Sequence, residues 1–330
     1  MDKVNLENII SIENLLLAWK EFVQGKRNRE DVQKFQLHLM DNVLSLHQDL
    51  KNKKYVHGEY YAFNISDPKP RNIHKATVRD RLLHHAIYRI LYPYFDKKFI
   101  HDSYSCRVNK GTHKAMNRFR DFFHQVSKNN TRTCWVLKCD IKKFFANIDH
   151  EILKDILAKH MRDPDILWLL EQVIDSFSAS SARVVLAGVG LPLGNLTSQL
   201  LVNVYMNEFD QFIKRKLKVK HYIRYADDFV ILHESKEYLG AKLPKIQNFL
   251  SESLKLSLHP DKVFIKTFAS GIDFLGWVYF PKHRVLRTST KRRMFQKLEN
   301  LNKPETIASY LGLLSHGNTY RIQQEDLFWN

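Results

Sequence analysis

Two adjacent carboxylates, Asp227 and Asp228, interrupt an apolar run, and a third, Asp140, ends another. His221-Tyr222-Ile223-Arg224-Tyr225-Ala226 precedes the pair and Phe229-Val230-Ile231-Leu232 follows it. These β-branched and aromatic types predict two short strands joined by a tight hairpin, with the acids at the strand junction. Burying two like charges there is costly unless a cation compensates. A divalent metal suits the task, because hard cations such as Mg²⁺ take carboxylate oxygens. An Asp-Asp turn facing water would give the same tetrapeptide, so its companions decide.

The strongest companion is Trp135-Val136-Leu137-Lys138-Cys139-Asp140-Ile141, a short apolar strand that ends in a carboxylate. Three acids at strand ends, each preceded by apolar β-formers, can converge on one sheet face and hold two metal ions. The alternative is three unrelated surface carboxylates.

The elements that must carry these acids are legible in the hydrophobic periodicity. To about Lys54 the chain reads as helices, with Ile9, Leu15, Trp19 and Phe22 at helical intervals. Past the basic break Gly25-Lys26-Arg27-Asn28-Arg29, a second helical pattern runs through Phe35, Leu37, Val43 and Leu46. Tyr55 to Lys75 turns strand-like, with Pro68 and Pro70 framing a basic corner, and Asp80 to Asp96 predicts a helix. After Asp140, Ile148, Ile152, Leu153, Ile156 and Leu157 predict another. Arg183 to Gly188 reads as a hairpin arm leading into Gly190-Leu191-Pro192-Leu193-Gly194. A helix from Thr197 to Lys214 follows, with Asn195 or Thr197 available as its N-cap. A further helix spans about Leu243 to Leu254, strands lie around Ile265 and Phe274 to Val278, and the tail after Arg284 is basic, then helical. This mixture predicts an α+β or α/β fold in one continuous body.

At 330 residues and 44% hydrophobic, the chain can build a large core. Lys and Arg outnumber Asp and Glu by 52 to 35, a formal charge of +17 that marks a binder of polyanions. Charge alone does not separate nucleic acid from a membrane surface. No apolar stretch approaches the roughly 20 residues that span a bilayer, and the polar start is no signal peptide. Cys106, Cys134 and Cys139 lack metal-ligand spacing and suit packed thiols in a reducing cytosol. A cytoplasmic protein facing nucleic acid is expected.

With the neighbouring segments, the pattern becomes specific. Lys138-Cys139-Asp140-Ile141-Lys142-Lys143-Phe144-Phe145 resembles motif A of reverse transcriptases. Gly190-Leu191-Pro192-Leu193-Gly194-Asn195-Leu196-Thr197-Ser198-Gln199 resembles motif B, and Tyr225-Ala226-Asp227-Asp228 motif C. His259-Pro260-Asp261-Lys262 looks like motif D, and Phe274-Leu275-Gly276-Trp277 like the primer grip of motif E. Arg71-Asn72-Ile73 with Arg79-Asp80-Arg81 resembles the fingers segment that holds the incoming triphosphate. The resemblance covers roughly residues 60 to 285 and lies with the bacterial group II intron-like lineage.

It implies an α+β right-hand polymerase with fingers, an RRM-like palm and a short helical thumb. The expected divisions are an N-terminal helical extension over 1–54, fingers over 55–134, palm over 135–285 with a fingers-side insertion near 150–190, and thumb over 286–330. It also implies two Mg²⁺ ions, with Mn²⁺ as a substitute, on Asp140, Asp227, Asp228 and the main chain of Ile141. One ion would lower the pKa of a primer 3′-hydroxyl and the other would hold triphosphate oxygens, roughly 3.5–4 Å apart. Lys262 would protonate the leaving pyrophosphate, although an exposed lysine before a strand needs no such role. Phe145 would act as a steric gate under the sugar, or is an ordinary core ring. Arg71, Arg79 and Arg81 would contact the triphosphate, where a planar guanidinium suits phosphate. Tyr225, Gly194 and Gln199 would line the substrate, and Leu275, Gly276 and Trp277 would grip the primer.

Leu193 departs from many family members, which carry Gln there. Leucine cannot make the amide's hydrogen bond, and losing one such contact is worth about 1–3 kcal/mol. The Leu193, Gly194, Ser198, Gln199 pattern resembles diversity-generating retroelement enzymes, which copy a template RNA with errors, mainly at adenines. Phe280-Pro281-Lys282-His283-Arg284 and His316-Gly317-Asn318-Thr319 also look like that group. Apolar replacement at this site also occurs in defence-associated bacterial relatives. The resemblance implies an RNA template, a DNA or RNA primer and deoxynucleoside triphosphates as partners, with no membrane. A cognate structured RNA and an accessory basic protein are expected to supply template choice, since no segment after the thumb resembles a maturase DNA-binding domain, endonuclease or RNase H. An RNA-dependent RNA polymerase would want a polar residue at Phe145, and an idle RNA-binding scaffold would not need all three acids.

Overall fold

The computed structural model describes residues 4–66, 70–177, 179–181, 184–186, 188–300 and 303–324. Pro68, Arg183 and Ala187, which carry part of the expected corner and hairpin arm, lie outside them. Four helices open the chain: α1 (Leu6–Ile10), α2 (Ile12–Phe22), α3 (Glu30–Leu37) and α4 (Leu39–Lys51). A hairpin of β1 (Tyr61–Ile65) and β2 (Arg71–Lys75) follows, then the long helix α5 (Val78–Asp96). Next come α6 (Thr112–Ser127), β3 (Trp135–Asp140), α7 (His150–His160) and α8 (Pro164–Asp175). A second hairpin, β4 (Ala179–Ser181) with β5 (Val184–Leu186), leads to α9 (Leu196–Gln211). Then β6 (Tyr222–Tyr225), β7 (Asp228–His233), α10 (Lys236–Leu254) and β8 (Phe264–Thr267) continue the chain. It finishes with β9 (Ile272–Phe274), β10 (Trp277–Tyr279), β11 (Arg284–Leu286), α11 (Thr288–Asn300), α12 (Pro304–Leu314) and α13 (Tyr320–Gln323).

These elements divide into two compact units, each drawn from three stretches of chain. The first comprises Met1–Ile100, Ile141–Phe212 and Gln247–Ser257, and the second His101–Asp140, Ile213–Ile246 and Leu258–Asn330.

In the first unit, α5 is the hub. Its apolar residues Leu82, Leu83, Ala86, Ile87 and Leu91 are buried, and α2 and α9 both pack against it. Buried Asp80 accepts hydrogen bonds from the Tyr55 hydroxyl (2.7 Å), Thr77 Oγ1 (2.5 Å) and the Gly58 amide (3.2 Å), which ties the segment before β1 to the helix. Helix α9 starts after Asn195, yet neither candidate caps it with its side chain. Asn195 Nδ2 instead donates to the His74 carbonyl (3.4 Å), and Thr197 Oγ1 lies 2.5 Å from His84 Nδ1. Tertiary hydrogen bonds to β2 and α5 have displaced the local cap.

The second unit is built on a four-stranded antiparallel sheet of order β6-β7-β3-β8. That order, with helices between β3 and β6 and between β7 and β8, is the ferredoxin-like split arrangement expected of an RRM-like palm. Helix α6 covers the sheet with Ala115, Met116, Phe119, Phe122, Phe123 and Val126, which pack with Ile223, Val230, Leu232 and Phe268. No element was expected at 101–134, although those six residues keep helical spacing. Two of the three thiols, Cys134 and Cys139, are packed as expected, whereas Cys106 is exposed.

The small sheet β9-β10-β11 joins the same core. Its Trp277 is covered by Gly317, where an added Cβ would lie 1.9 Å from the indole Cζ3. Only glycine allows that approach. Gly317→Ala should lower stability by about 1–3 kcal/mol, the usual cost of overpacking, read as a shifted urea midpoint. An unchanged midpoint would mean that the Gly317 segment does not seat on Trp277.

Candidate active site

The hairpin between β6 and β7 pairs Tyr225 with Asp228 and leaves Ala226 and Asp227 as its two-residue turn. Ala226 takes a left-handed conformation (φ 55°), which costs a residue with a Cβ roughly 1–2 kcal/mol. On the other side of β7, Asp228 stands opposite Asp140 of β3. Directly opposed residues in an antiparallel pair hold their Cβ atoms about 4.5–5.5 Å apart, and like charges there repel. The register therefore brings two of the three expected acids together, with the third in the adjoining turn.

Two lysines offset this charge. Lys138 Nζ lies 3.2 Å from Asp228 Oδ2. Lys262 Nζ donates to Asp140 Oδ1 at 3.0 Å, and the His259 amide donates to the Asp140 carbonyl at 2.8 Å. The 3₁₀ turn Pro260–Lys262 is thus fastened to Asp140 through main chain and side chain together. Asp228 remains uncomfortable. Burial pushes its carboxyl up to about 7 against the opposing pull of Lys138, and the charges of Asp140 and Asp227 add to the rise. Its Oδ1 is buried with no hydrogen-bond partner.

No three His, Cys, Asp or Glu side chains gather into a metal-holding group among the described residues. The donor set nevertheless fits a hard cation. Carboxylate oxygens are the ligands Mg²⁺ prefers, and the orphaned Asp228 Oδ1 is an anionic oxygen in want of a positive partner. Ile141, whose main chain was expected to join the set, directly follows Asp140 and is buried.

The remaining expected residues of the second unit differ in exposure. Tyr225 is half-buried, and its hydroxyl lies 3.0 Å from Thr112 Oγ1. Leu275 and Gly276 form a tight turn between β9 and β10, both with positive φ (52° and 88°), as hairpin turns of this length favour. Trp277 is only 2% exposed and belongs to the core, so its indole is a support and not a contact surface.

In the first unit, Phe144 is the core ring and Phe145 is half-exposed, its carbonyl accepting from the Leu191 amide at 2.8 Å. The Leu193 carbonyl accepts from the His74 amide (3.1 Å), and Gly194 (φ 109°) packs so closely that a Cβ would sit 3.0 Å from Ile73 Cγ2. Gly194 and Gln199 border a cavity of about 380 Å³ that Lys26, Arg29, Lys75 and Arg81 also line. Arg71 is exposed at the start of β2. The other two arginines of its group are engaged in ion pairs. Arg79 holds Asp49 (2.6 Å) and Arg81 holds Asp31 (2.5 Å), so they fasten α5 to the N-terminal helices.

Two residues beside the acids carried no expectation. Lys138 passed as one member of an apolar strand, and Arg224 as one member of another. Arg224 is fully buried, its guanidinium donating to the Ala226 carbonyl and to Ser103 Oγ, both at 3.1 Å. The available signal was a charged residue in the middle of each β run.

Comparison with known proteins agrees with this geometry. The family described as reverse transcriptase (RNA-dependent DNA polymerase) matches residues 65–279. Protein YkfC of Escherichia coli K12 is 26% identical over 258 residues, covering 68% of this chain and 66% of that protein. The group II intron-encoded protein LtrA of Lactococcus lactis subsp. cremoris is 23% identical over 295 residues, covering 71% and 47% respectively. The chain thus spans less than two thirds of the length of these relatives. Among solved structures, apo telomerase from Candida tropicalis, truncated from its C-terminal domain, matches with a TM-score of 0.52 at 14% identity. It covers 76% of this chain and 60% of that one, a likeness of fold.

The raised carboxyl of Asp228 has a consequence for stability. A folded-state value above the unfolded one means that ionisation opposes folding. The penalty is absent below about pH 4, grows between pH 4 and 7, and is complete above pH 7. In metal-free buffer at pH 8, Asp228→Asn should therefore stabilise the protein by on the order of 2 kcal/mol, a rise of several degrees in Tm, and the gain should vanish towards pH 4. A variant less stable than the parent at pH 8 would contradict this account.

Proposed function

Since the chain belongs to the reverse transcriptase family, we propose that it copies an RNA template into DNA by nucleotidyl transfer. The observation that carries this reading is the opposition of Asp140 and Asp228 beside the Asp227 turn, with one carboxylate oxygen left open. Two Mg²⁺ ions, or Mn²⁺, held by Asp140, Asp227, Asp228 and the Ile141 carbonyl would supply the charge stabilisation for attack of a primer 3′-oxygen on the α-phosphate. Asp140 and Asp227 do most of the holding, and Asp228 has the weaker role.

The chain's own groups do the rest. Lys262, already hydrogen-bonded to Asp140, releases that carboxylate on substrate binding and delivers its proton to the departing pyrophosphate. Arg71 takes triphosphate oxygens, while Arg79 and Arg81 act at one remove by anchoring α5. The half-exposed ring of Phe145 excludes a 2′-hydroxyl and so selects deoxynucleotides. Tyr225, Gly194 and Gln199 face the substrate, and the Leu275-Gly276 turn, supported from behind by Trp277, grips the primer. In these terms residues 1–54 are an N-terminal extension, 55–134 fingers, 135–285 palm and 286–330 thumb.

Leu193 favours a finer reading: an error-prone enzyme of a diversity-generating retroelement, working in the cytoplasm with a cognate structured RNA and an accessory basic protein. Synthesis of DNA from a non-coding RNA in phage defence is the second reading, supported by the same apolar replacement.

Primer extension on a defined RNA template tests both levels. Asp140→Asn and Asp227→Asn should each lower the rate at least about 10²–10³-fold and leave the fold intact. Full synthesis by Asp227→Asn would overturn the assignment. Products of the parent should carry errors concentrated opposite template adenines, and Leu193→Gln should reduce them about tenfold. Accurate products from the parent would favour the defence reading.

A further inference from the structure

Resting on the assignment of the turn acids above, we propose that Arg224 is the positioning residue that fixes the Ala226-Asp227 turn in its working shape. Arg224 lies in β6 between Ile223 and Tyr225, with no exposed surface. A guanidinium is seldom buried completely, since leaving water is costly unless its donors are used. Packing alone would be served by methionine or leucine. Here one terminal nitrogen donates to the Ala226 carbonyl and the other to Ser103 Oγ, each at 3.1 Å.

The acceptor is informative. Ala226 is the left-handed residue of the turn, and its carbonyl belongs to the peptide that leads into Asp227. A donor locked onto that carbonyl fixes the peptide plane and hence the direction in which the Asp227 side chain leaves the backbone. Glycine would adopt the left-handed conformation without strain, so retaining alanine calls for an outside restraint.

The restraint is itself anchored. The Arg224 amide donates to the Asp102 carbonyl and its own carbonyl accepts from the Tyr104 amide, both at 3.0 Å. Asp102 is held in turn by Arg118 Nε (2.9 Å), and Thr112 meets the Tyr225 hydroxyl. The loop from Asp102 to Thr112 therefore forms a rigid seat for the turn, and the guanidinium is the part of it that reaches the turn's own main chain.

The test uses the full chain with Arg224→Met, Arg224→Lys and Ser103→Ala, and Asp227→Asn in parallel. It measures kcat, KM for deoxynucleotide, template–primer affinity and Tm. Arg224→Met should lower kcat about 10- to 100-fold, the scale of a misplacement near 1 Å, with template–primer affinity within about twofold. Arg224→Lys should recover part of the loss by supplying one donor. Ser103→Ala should lower kcat several-fold, assayed well below its Tm, which itself falls because a buried guanidinium donor loses its acceptor. A folded Arg224→Met with parental kcat would overturn the proposal, as would losses that follow Tm across the three variants. Should Arg224→Met fail to fold, Ser103→Ala decides, and an unchanged kcat there would equally overturn it. Retained synthesis by Asp227→Asn would instead reject the site assignment on which the proposal rests.

Discussion

Two carboxylates set face to face across an antiparallel pair, Asp140 and Asp228, are the constraint around which the second unit is organised. The β3–β7 register forces their proximity. Relief arrives from two lysines: Lys138 of β3 itself, and Lys262 from a 3₁₀ turn past α10. Each lysine answers one acid, yet Asp228 keeps an unanswered oxygen and a carboxyl shifted to about 7. A sheet selected for stability alone would place a neutral residue there. The cost is sensible only if the acids serve a ligand that brings its own positive charge.

The acids themselves were legible because their surroundings are chemically simple. A charged pair inside an otherwise β-branched and aromatic run can be read from residue types, and so could the strand ending at Asp140. The antiparallel register that sets Asp140 against Asp228 is a long-range property, and no local pattern encodes it. Helix α5 and the strand at Trp135 were found nearly to the residue by periodicity. Helix α6 is less legible: its stripe of Phe119, Phe122, Phe123 and Val126 is interleaved with Arg118, Arg120, Asp121 and His124, which dilute the apolar period. The N-cap of α9 failed for another reason: Asn195 and Thr197 have the right chemistry, but His74 and His84 offer them better partners across the fold.

The first unit adds a lesson about arginine. Arg71, Arg79 and Arg81 are indistinguishable by type and nearly by spacing. Only the fold separates the exposed guanidinium of Arg71 from two that are held by acids of α3 and α4. The N-terminal helices are therefore part of the structure that holds α5, and through α5 they support α9 and the Leu193-Gly194 loop ahead of it. The N-terminal extension thus shares the core of this unit.

Strand β3 sits in the interior of its sheet although it is the first of the four to be synthesised. Its partner β7 lies about 90 residues further on, and β8 later still. At roughly 5–20 residues per second, the ribosome leaves Trp135–Asp140 for about 5–20 seconds with both edges unpaired. During that interval a nascent chain carries an apolar ribbon able to pair with any other strand it meets. Contacts of such long sequence separation also form slowly in the finished chain. The order of synthesis thus places the earliest hazard to this sheet at the ribosome exit, before β7 has emerged to cover the edge that carries Asp140.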